Sequence, residues 1–145
     1  MAVGAAAVVA RTLVEEETRA LGRALAARLL PDGVLLLTGD LGSGKTVLTQ
    51  GVATGLGIDP AEVQSPTYTL IREHAGPGGR LVHVDLYRLE PAEVLDLGLE
   101  EVLAGPGIKV VEWAERLLFP VPEGLRLALS RHPEGGRDIR ELGAE

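Results

Sequence analysis

The stretch GDLGSGKT, residues 39–46, has the spacing G-x-x-x-x-G-K-[ST] of a phosphate-binding loop. Its glycines permit backbone conformations and close approaches that a Cβ atom would block, so that loop N–H groups can point at phosphate oxygens. Lys45 would reach the β- and γ-phosphates of a nucleotide, and the Thr46 hydroxyl would ligate Mg²⁺. The predicted phosphate contacts are therefore the loop residues Gly39, Asp40, Leu41, Gly42, Ser43, Gly44, Lys45 and Thr46.

The segments on either side of this loop supply the context that the motif requires. VLLLT, residues 34–38, is a continuous apolar run, which is typical of a strand buried on both faces of a parallel sheet. Residues 45–56 predict a helix that Gly57 ends. A strand, a glycine-rich loop and a helix in this order favour a phosphate-binding loop over a chance glycine-rich turn.

Lysine is rare in this chain, which makes the lysine of the loop informative. The sequence contains twelve Arg but only two Lys, and one of the two is Lys45. A compact ammonium group fits among crowded phosphate oxygens, a position that the planar guanidinium of arginine does not suit. The choice of residue therefore supports the motif.

The remaining hydrophobic patterns predict one α/β domain over residues 1–145. Thr12 and Glu15 have the spacing of a capping box, and the leucines that follow predict a helix ending near Pro31. The expected fold is a three-layer P-loop NTPase sandwich with a mainly parallel central sheet and antiparallel flanking strands. Further strands are predicted over residues 2–10, 65–73, 81–89 and 107–113, helices over 91–103 and 114–119, and a solvated hairpin at a sheet edge over 125–131 and 137–142.

Composition excludes several classes of function. The net charge is −7 and no basic run occurs, which argues against direct, electrostatically driven binding of nucleic acid. The chain has no cysteine, so disulfides, thiolate chemistry and zinc–thiolate sites are excluded. The apolar residues 2–10 follow no basic residue and are too few to span a bilayer, which takes about 20. We therefore expect a cytoplasmic protein without a membrane partner.

Two carboxylates close predicted strands and are candidates for the chemistry of a bound nucleotide. Asp85 ends the apolar run LVHVD, as the acidic residue of a Walker-B strand does, and is the second predicted magnesium ligand beside Thr46. Glu112 ends IKVVE at the edge where ligands gather in such sheets. We therefore predict that Glu112 orients the attacking water and that Glu112 and Lys45 are the catalytic residues.

Several other residues allow both a structural and a functional interpretation. Trp113, the only tryptophan, is equally suited to the core and to a shelf for a base or a partner. SPTYTL places Thr67 on a strand face with neighbouring hydroxyls, as in a segment that senses the γ-phosphate or as in an ordinary edge strand. His83 shares a strand face with Asp85, and a hydrogen-bonded core histidine is the favoured interpretation.

The base and the fate of the phosphate are less directly encoded. The sequence contains no Asn, so it cannot carry the N-K-x-D element of a guanine-specific GTPase, and ATP or ADP with Mg²⁺ is the expected ligand. A small-molecule kinase of the shikimate or gluconate type is the alternative, although 145 residues leave little length for an acceptor pocket and a closing lid. A nucleotide-dependent binding module that hardly hydrolyses is the third possibility, and Glu112 distinguishes it from an ATPase.

Several separated strings, GDLGSGKT, SPTYTL, HVDLYRL, DLGLEE and VEW, together resemble one family. This is the TsaE (YjeE) family, bacterial P-loop ATPases needed for the threonylcarbamoyladenosine (t6A) modification of tRNA. The resemblance extends from the first predicted strand to about Trp113, and SPTYTL with HVDLYRL is its most specific part. The last 30 residues match only as a generic pair of strands.

The resemblance implies roles for the candidate residues and for the whole protein. Asp85 would complete the metal side, Thr67 would lie in a switch-like segment, and Glu112 would serve in hydrolysis with Trp113 beside the nucleotide or the partner surface. The implied partners are TsaD and TsaB, which with TsaC or a relative make the modified adenosine, so that tRNA is reached only through the complex. The implied role is a motor that resets this complex between rounds.

Overall fold

The computed structural model describes residues 7–64 and 70–143, and within these ranges seven strands form one mixed sheet. The strands are β1 (Ala7–Thr12), β2 (Val34–Thr38), β3 (Ile71–Gly76), β4 (Gly79–Asp85), β5 (Ile108–Glu112), β6 (Leu125–Arg131) and β7 (Arg137–Glu141). The helices are α1 (Glu15–Leu29), α2 (Lys45–Gly55), α3 (Pro91–Leu95) and α4 (Leu99–Ala104), with single 3-10 turns at Pro60–Glu62 and Ala114–Arg116.

The spatial order of the strands is β1-β7-β6-β2-β5-β4-β3. The four central strands are parallel, because β2 pairs in parallel with both β5 and β6 and β4 pairs in parallel with β5. Antiparallel pairs flank this centre, β3 with β4 on one side and β7 with β6 and β1 on the other. The predicted mixed sheet with a parallel centre and antiparallel flanks is confirmed.

Alternate residues of the central strands face two separate hydrophobic cores. Leu35 and Leu37 of β2 pack with buried side chains of α1 and α2 on one face of the sheet. Val34 and Leu36 pack on the opposite face with buried side chains of α3 and α4. Burial of both faces explains why β2 is a continuous apolar run, and it produces the predicted three layers.

Helices α1 and α2 approach closely through glycine. A Cβ atom on Gly22 would lie 2.3 Å from the carbonyl oxygen of Leu48, and one on Gly51 would lie 2.1 Å from the carbonyl oxygen of Arg19. Both contacts are with main-chain atoms, which cannot turn away as a flexible side chain can. Helix α2 follows the glycine-rich loop directly, so this packing holds the start of α2 against the sheet.

The sequence prediction was wrong about how α1 begins. Its N-cap is Val14, without a side-chain hydrogen bond, so Thr12 and Glu15 form no capping box. The Thr12 hydroxyl instead bonds the Thr18 hydroxyl at 2.7 Å, and Glu17 accepts from the backbone N–H of Leu13 at 2.5 Å. The cap fails because β1 continues through Thr12, whose backbone is used by the pairing with β7.

Three further predictions need correction. Strand β4 ends at Asp85 and not at residue 89, and the predicted helix over 91–103 is two helices separated at Gly98, where φ is +67°. The hairpin of β6 and β7 does not lie at a sheet edge, because β6 pairs with β2 and β7 pairs with β1. Its alternating pattern reflects one buried face, which includes Leu127, Leu129 and Ile139.

Parts of two predicted strands lie outside the described residues. These parts are residues 2–6 of the first predicted strand and residues 65–69 of the strand predicted over 65–73. Of the described remainder, residues 7–10 lie in β1 and residues 71–73 in β3, whereas Leu70 precedes β3 and is not in a strand.

The helix contact at Gly22 leads to a stability prediction. Alanine favours a helix interior over glycine by about 1 kcal/mol, whereas overpacking against main-chain atoms costs about 1–3 kcal/mol. We expect Gly22→Ala to lower the free energy of unfolding, measured by urea denaturation. Gly143→Ala is the control, because a Cβ atom there meets no atom within 4 Å. Equal stabilities of the two variants would show that α1 and α2 do not approach so closely.

Candidate functional site

The loop after β2 has the strained, glycine-dependent backbone expected of a phosphate cradle. The angle φ is +146° at Gly39, +75° at Gly42 and +107° at Gly44. A Cβ atom on Gly39 would also meet the carbonyl oxygen of Leu129 at 2.4 Å. Gly44 is the N-cap of α2, and the first N–H groups of a helix lack partners within the helix. The loop and helix together therefore form an anion-binding concavity.

Lys45 is buried beside this concavity and is held by the loop itself. Its Nζ atom donates to the carbonyl oxygens of Gly39 at 2.5 Å and Asp40 at 2.9 Å. It also lies 4.3 Å from the ring centroid of Trp113. Burial lowers the pKa of Lys45 from its ordinary value, although the carboxylates of Glu112, Glu115, Asp85 and Asp40 oppose this shift. The side chain is a partly desolvated cation beside the glycine-rich loop.

Glu112 connects the loop to the centre of the sheet. Its two carboxylate oxygens accept from the Thr46 hydroxyl at 3.1 and 3.2 Å, and Oε2 lies 2.5 Å from Nε2 of His83. The carboxylate is almost completely buried, with 2% of the residue exposed. The structure therefore brings together Thr46 and Glu112, which are 66 positions apart in the sequence.

Asp85 lies next to this group at the end of β4. It is the register partner of Glu112 in the parallel pair of β4 and β5, and it is buried. One of its oxygens accepts from the backbone N–H of Tyr87 at 2.9 Å. Within residues 7–64 and 70–143, no three acidic or histidine side chains form a ready-made metal cluster. Magnesium bound with a nucleotide needs only one or two protein oxygens beside phosphate oxygens and water. Thr46 and Asp85 carry oxygens of this kind, Thr46 lines the cavity and Asp85 does not, so their role as magnesium ligands stays a prediction.

Trp113 directly follows β5 and has an unusual backbone. Its φ and ψ angles are +60° and +44°, the left-handed region that costs a residue with a Cβ atom about 1–2 kcal/mol. Its ring stacks on Tyr87 with centroids 4.8 Å apart and lies under the Lys45 ammonium. The half-buried ring packs against the core and also lines the cavity over the loop, and its role beside a base or a partner stays a prediction.

A cavity of about 440 Å³ opens over the loop. Its size is within the usual range of about 300–1,000 Å³ for small-molecule sites. The β1–α1 turn forms one wall, the β6–β7 hairpin another, and Trp113 with Tyr87 a third. Predicted residues that line it are Leu41, Gly42, Gly44, Lys45, Thr46, Glu112 and Trp113.

The hairpin contributes two arginines that the sequence analysis missed. Arg137 donates to the carbonyl oxygen of Gly42 at 2.9 Å, and Nε of Arg131 approaches the same oxygen at 3.4 Å. Nε of Arg137 is buried without a hydrogen-bond partner in the described part of the chain. Together with Lys45 they place three cationic side chains around the cavity of a chain whose net charge is −7. No local motif marks them, because only the pairing of β6 with β2 and β7 brings them to the loop.

The predicted γ-phosphate sensor Thr67 lies outside the described residues, as do its neighbours Ser65 and Thr69. The described chain resumes at Leu70, whose carbonyl oxygen accepts from the N–H of Asp85 at 2.9 Å. Leu70, directly before β3, is thus bonded to the backbone of the predicted metal ligand Asp85.

Comparison with known proteins agrees with the motifs. A family model described as threonylcarbamoyl adenosine biosynthesis protein TsaE matches residues 12–139. The chain belongs to the TsaE family. The family match extends beyond Trp113 into β7, so the C-terminal hairpin is also part of the family pattern.

Curated relatives and a solved structure resemble this TsaE-family chain over most of its length. The tRNA threonylcarbamoyladenosine biosynthesis protein TsaE of Bacillus subtilis is 44% identical over 133 residues, which is 91% of this chain and 81% of the relative. The protein of that name from a Nostoc species is 45% identical over 127 residues, 85% of this chain and 78% of the relative. The crystal structure of Bacillus subtilis YdiB superimposes with a TM-score of 0.76 at 34% identity, covering 100% of this chain and 90% of that one.

No helix in the described ranges is long and apolar enough to cross a membrane.

The left-handed backbone of Trp113 can be tested by stability measurements. Glycine adopts this conformation without the steric cost of a Cβ atom, so we expect Trp113→Gly to be more stable than Trp113→Ala by about 1 kcal/mol. The control pair is Leu118→Gly and Leu118→Ala, at an exposed position that does not have positive φ. There the alanine variant should be the more stable. A more stable Trp113→Ala would contradict the backbone described for this residue.

Proposed function

We propose that this chain is a P-loop NTPase that binds ATP with Mg²⁺ and hydrolyses it. The carrying observation is the group formed by the loop, Lys45, Thr46 and Glu112 at the floor of a cavity of nucleotide size. These residues come from two parallel strands whose carboxyl ends meet at one edge, the position at which such sheets bind ligands. The family resemblance supports the same assignment.

Binding of the triphosphate uses cations that are already in place. The loop carbonyls hold the Lys45 ammonium in the absence of phosphate, and the β- and γ-phosphate oxygens are stronger acceptors because they are charged. Arg131 and Arg137 add positive charge at the opposite wall of the cavity. The hydrophobic side chains of Leu13 and Val14, both more than half exposed, leave an apolar surface that suits an adenine ring.

The metal side of the site consists of Thr46 and Asp85. Magnesium, when bound, neutralises charge on the β- and γ-phosphates during transfer. Thr46 would present a lone pair of its hydroxyl oxygen to the metal, and the same hydroxyl can still donate its hydrogen to Glu112. The backbone N–H of Tyr87 donates a hydrogen bond to one carboxylate oxygen of Asp85 and so holds this side chain in place at the end of β4.

Glu112 is the residue that would make the site hydrolytic. Beside its contacts with Thr46 and His83, the buried carboxylate has lone pairs left to accept a hydrogen bond from a water molecule and orient it towards the γ-phosphate. The water oxygen attacks phosphorus and gives one proton to Glu112, the bond from phosphorus to the bridging oxygen breaks, and ADP and phosphate are released. A small-molecule kinase would need a closing lid and a pocket for the phosphate acceptor. The segment between β4 and β5 forms two short helices that pack on the sheet and supplies neither.

The relatives' names connect this chemistry to tRNA modification. We propose that the chain acts in threonylcarbamoyladenosine biosynthesis as an accessory ATPase in the cytoplasm, and that hydrolysis drives turnover of a complex of TsaD and TsaB. The acidic net charge supports a protein that reaches tRNA through this complex and not by itself. ATP hydrolysis would drive a conformational change to which the partner proteins respond.

Glu112→Gln tests the hydrolytic role. Glutamine keeps the size of the side chain and an oxygen acceptor for Thr46 but loses the negative charge. We expect ATP affinity within about threefold of the wild type by calorimetry and a loss of turnover of at least about 100-fold, the usual scale for a catalytic proton acceptor. Normal hydrolysis by this variant would remove Glu112 from the mechanism and favour the binding-module interpretation.

The pathway is tested by multiple-turnover synthesis of threonylcarbamoyladenosine on tRNA, with TsaC, TsaD and TsaB supplied. We expect sustained product with the wild type and little more than a single round with Lys45→Ala, because the β,γ-phosphate charge loses its buried partner. Arg28→Ala is the charge-matched control, since Arg28 is exposed in the last turn of α1, and it should behave as the wild type.

The possible results separate the two halves of the proposal. If reactions with wild type, Lys45→Ala and no addition run alike, the pathway role is wrong. If wild type binds no ATP, the nucleotide site is wrong. ATP binding with transfer of phosphate to a small-molecule acceptor would establish the kinase alternative.

A further inference from the structure

His83 lies at the centre of the sheet and touches the proposed catalytic carboxylate. Its side chain is fully buried in β4, and Nε2 lies 2.5 Å from Oε2 of Glu112. A buried carboxylate is tolerated only when hydrogen bonds replace its lost hydration. In the described part of the chain, the side-chain hydrogen bonds of Glu112 come from His83 and Thr46.

These two partners hold Glu112 from different parts of the fold. Thr46 belongs to the loop and lines the cavity, and its hydroxyl is the proposed magnesium ligand. His83 does not line the cavity, and its strand is paired on both sides, with β3 and with β5. His83 therefore contacts Glu112 from within the sheet, away from the groups that would bind the nucleotide.

We propose that His83 is a positioning residue that holds the Glu112 carboxylate in its catalytic orientation. The proposal rests on the proposed function, because it assigns His83 a role in the hydrolysis that Glu112 performs. His83 acts through Glu112 and touches no substrate.

The hydrogen-bonding pattern fixes the form of the imidazole that this role needs. An ionised carboxylate only accepts hydrogen bonds, so Nε2 of His83 carries the hydrogen and donates it. Nδ1, the other ring nitrogen, has no hydrogen-bond partner among the residues that the structure describes. The imidazole ring is thus oriented by its hydrogen bond to Glu112 and by the packing of the core around it. The same hydrogen bond makes the orientation of the Glu112 carboxylate depend on that of His83.

Kinetics of two substitutions distinguish positioning from simple filling of the core. His83→Leu removes the donor, whereas His83→Gln keeps an N–H group at about the place of Nε2. Because loss of a partner that orients a functional group costs about 10–100-fold, we expect His83→Leu to lower kcat by that factor with KM within about twofold. His83→Gln should recover most of kcat, and in a Glu112→Gln background His83→Leu should cause no further loss.

The matched control is His74→Leu on the neighbouring strand β3. His74 also has a buried ring nitrogen without a described partner, and it is paired with Leu81 and not with a residue of the site. Thermal unfolding of both leucine variants separates a general loss of stability from a loss of kcat. A loss of kcat that is equal in His74→Leu and His83→Leu would overturn the proposal.

A spectroscopic measurement tests the contact without relying on turnover. In long-range ¹H–¹⁵N spectra of the wild type we expect His83 to be protonated at Nε2, with shifts that change in Glu112→Gln while those of His74 stay. Unchanged His83 shifts, or an active wild type in which His83→Leu keeps its kcat, would refute the positioning role. A wild-type chain that hydrolyses no ATP even with its partners would instead refute the proposed function, and the positioning role with it.

Discussion

Parallel pairing of β2 with β5 is the constraint on which the site depends. Leu37 is the register partner of Glu112, and the phosphate loop begins two residues later. Because parallel strands end at the same edge of a sheet, this register places the Glu112 carboxylate beside the loop. The next pair extends the arrangement, since Asp85 of β4 is the partner of Glu112. A shift of one residue in either register would turn these side chains to the opposite face of the sheet.

The two buried charges at this edge, Lys45 and Glu112, would each be destabilising without polar partners. Lys45 and Glu112 are both buried, and desolvation lowers the pKa of the lysine while the carboxylate opposes that shift. The loop carbonyls accept hydrogen bonds from Lys45, and Thr46 and His83 contact Glu112. Each buried charge therefore has polar partners within the fold itself.

The features that sequence reasoning predicted well have local causes. The loop and the strand before it are contiguous, and Glu112 and Asp85 each end an apolar run, so their position at the sheet edge follows from strand period alone. The errors have non-local causes. Thr12 cannot cap α1 because β7 extends β1 through that residue, and the alternating hairpin is interior because β1 covers its outer strand. An alternating hydrophobic pattern shows that one face of a strand is solvated, but it does not show which strands pair with its two edges.

The sequence by itself determined the phosphate loop, the two strand-end carboxylates and the layered α/β class, because each depends on spacing along one short segment. Only the tertiary structure decided that Thr46 and His83 share Glu112, that Lys45 lies over Trp113, and that two hairpin arginines reach the loop. These contacts join residues from separate strands. They depend on strand order and register, which long-range packing sets and which no local pattern records.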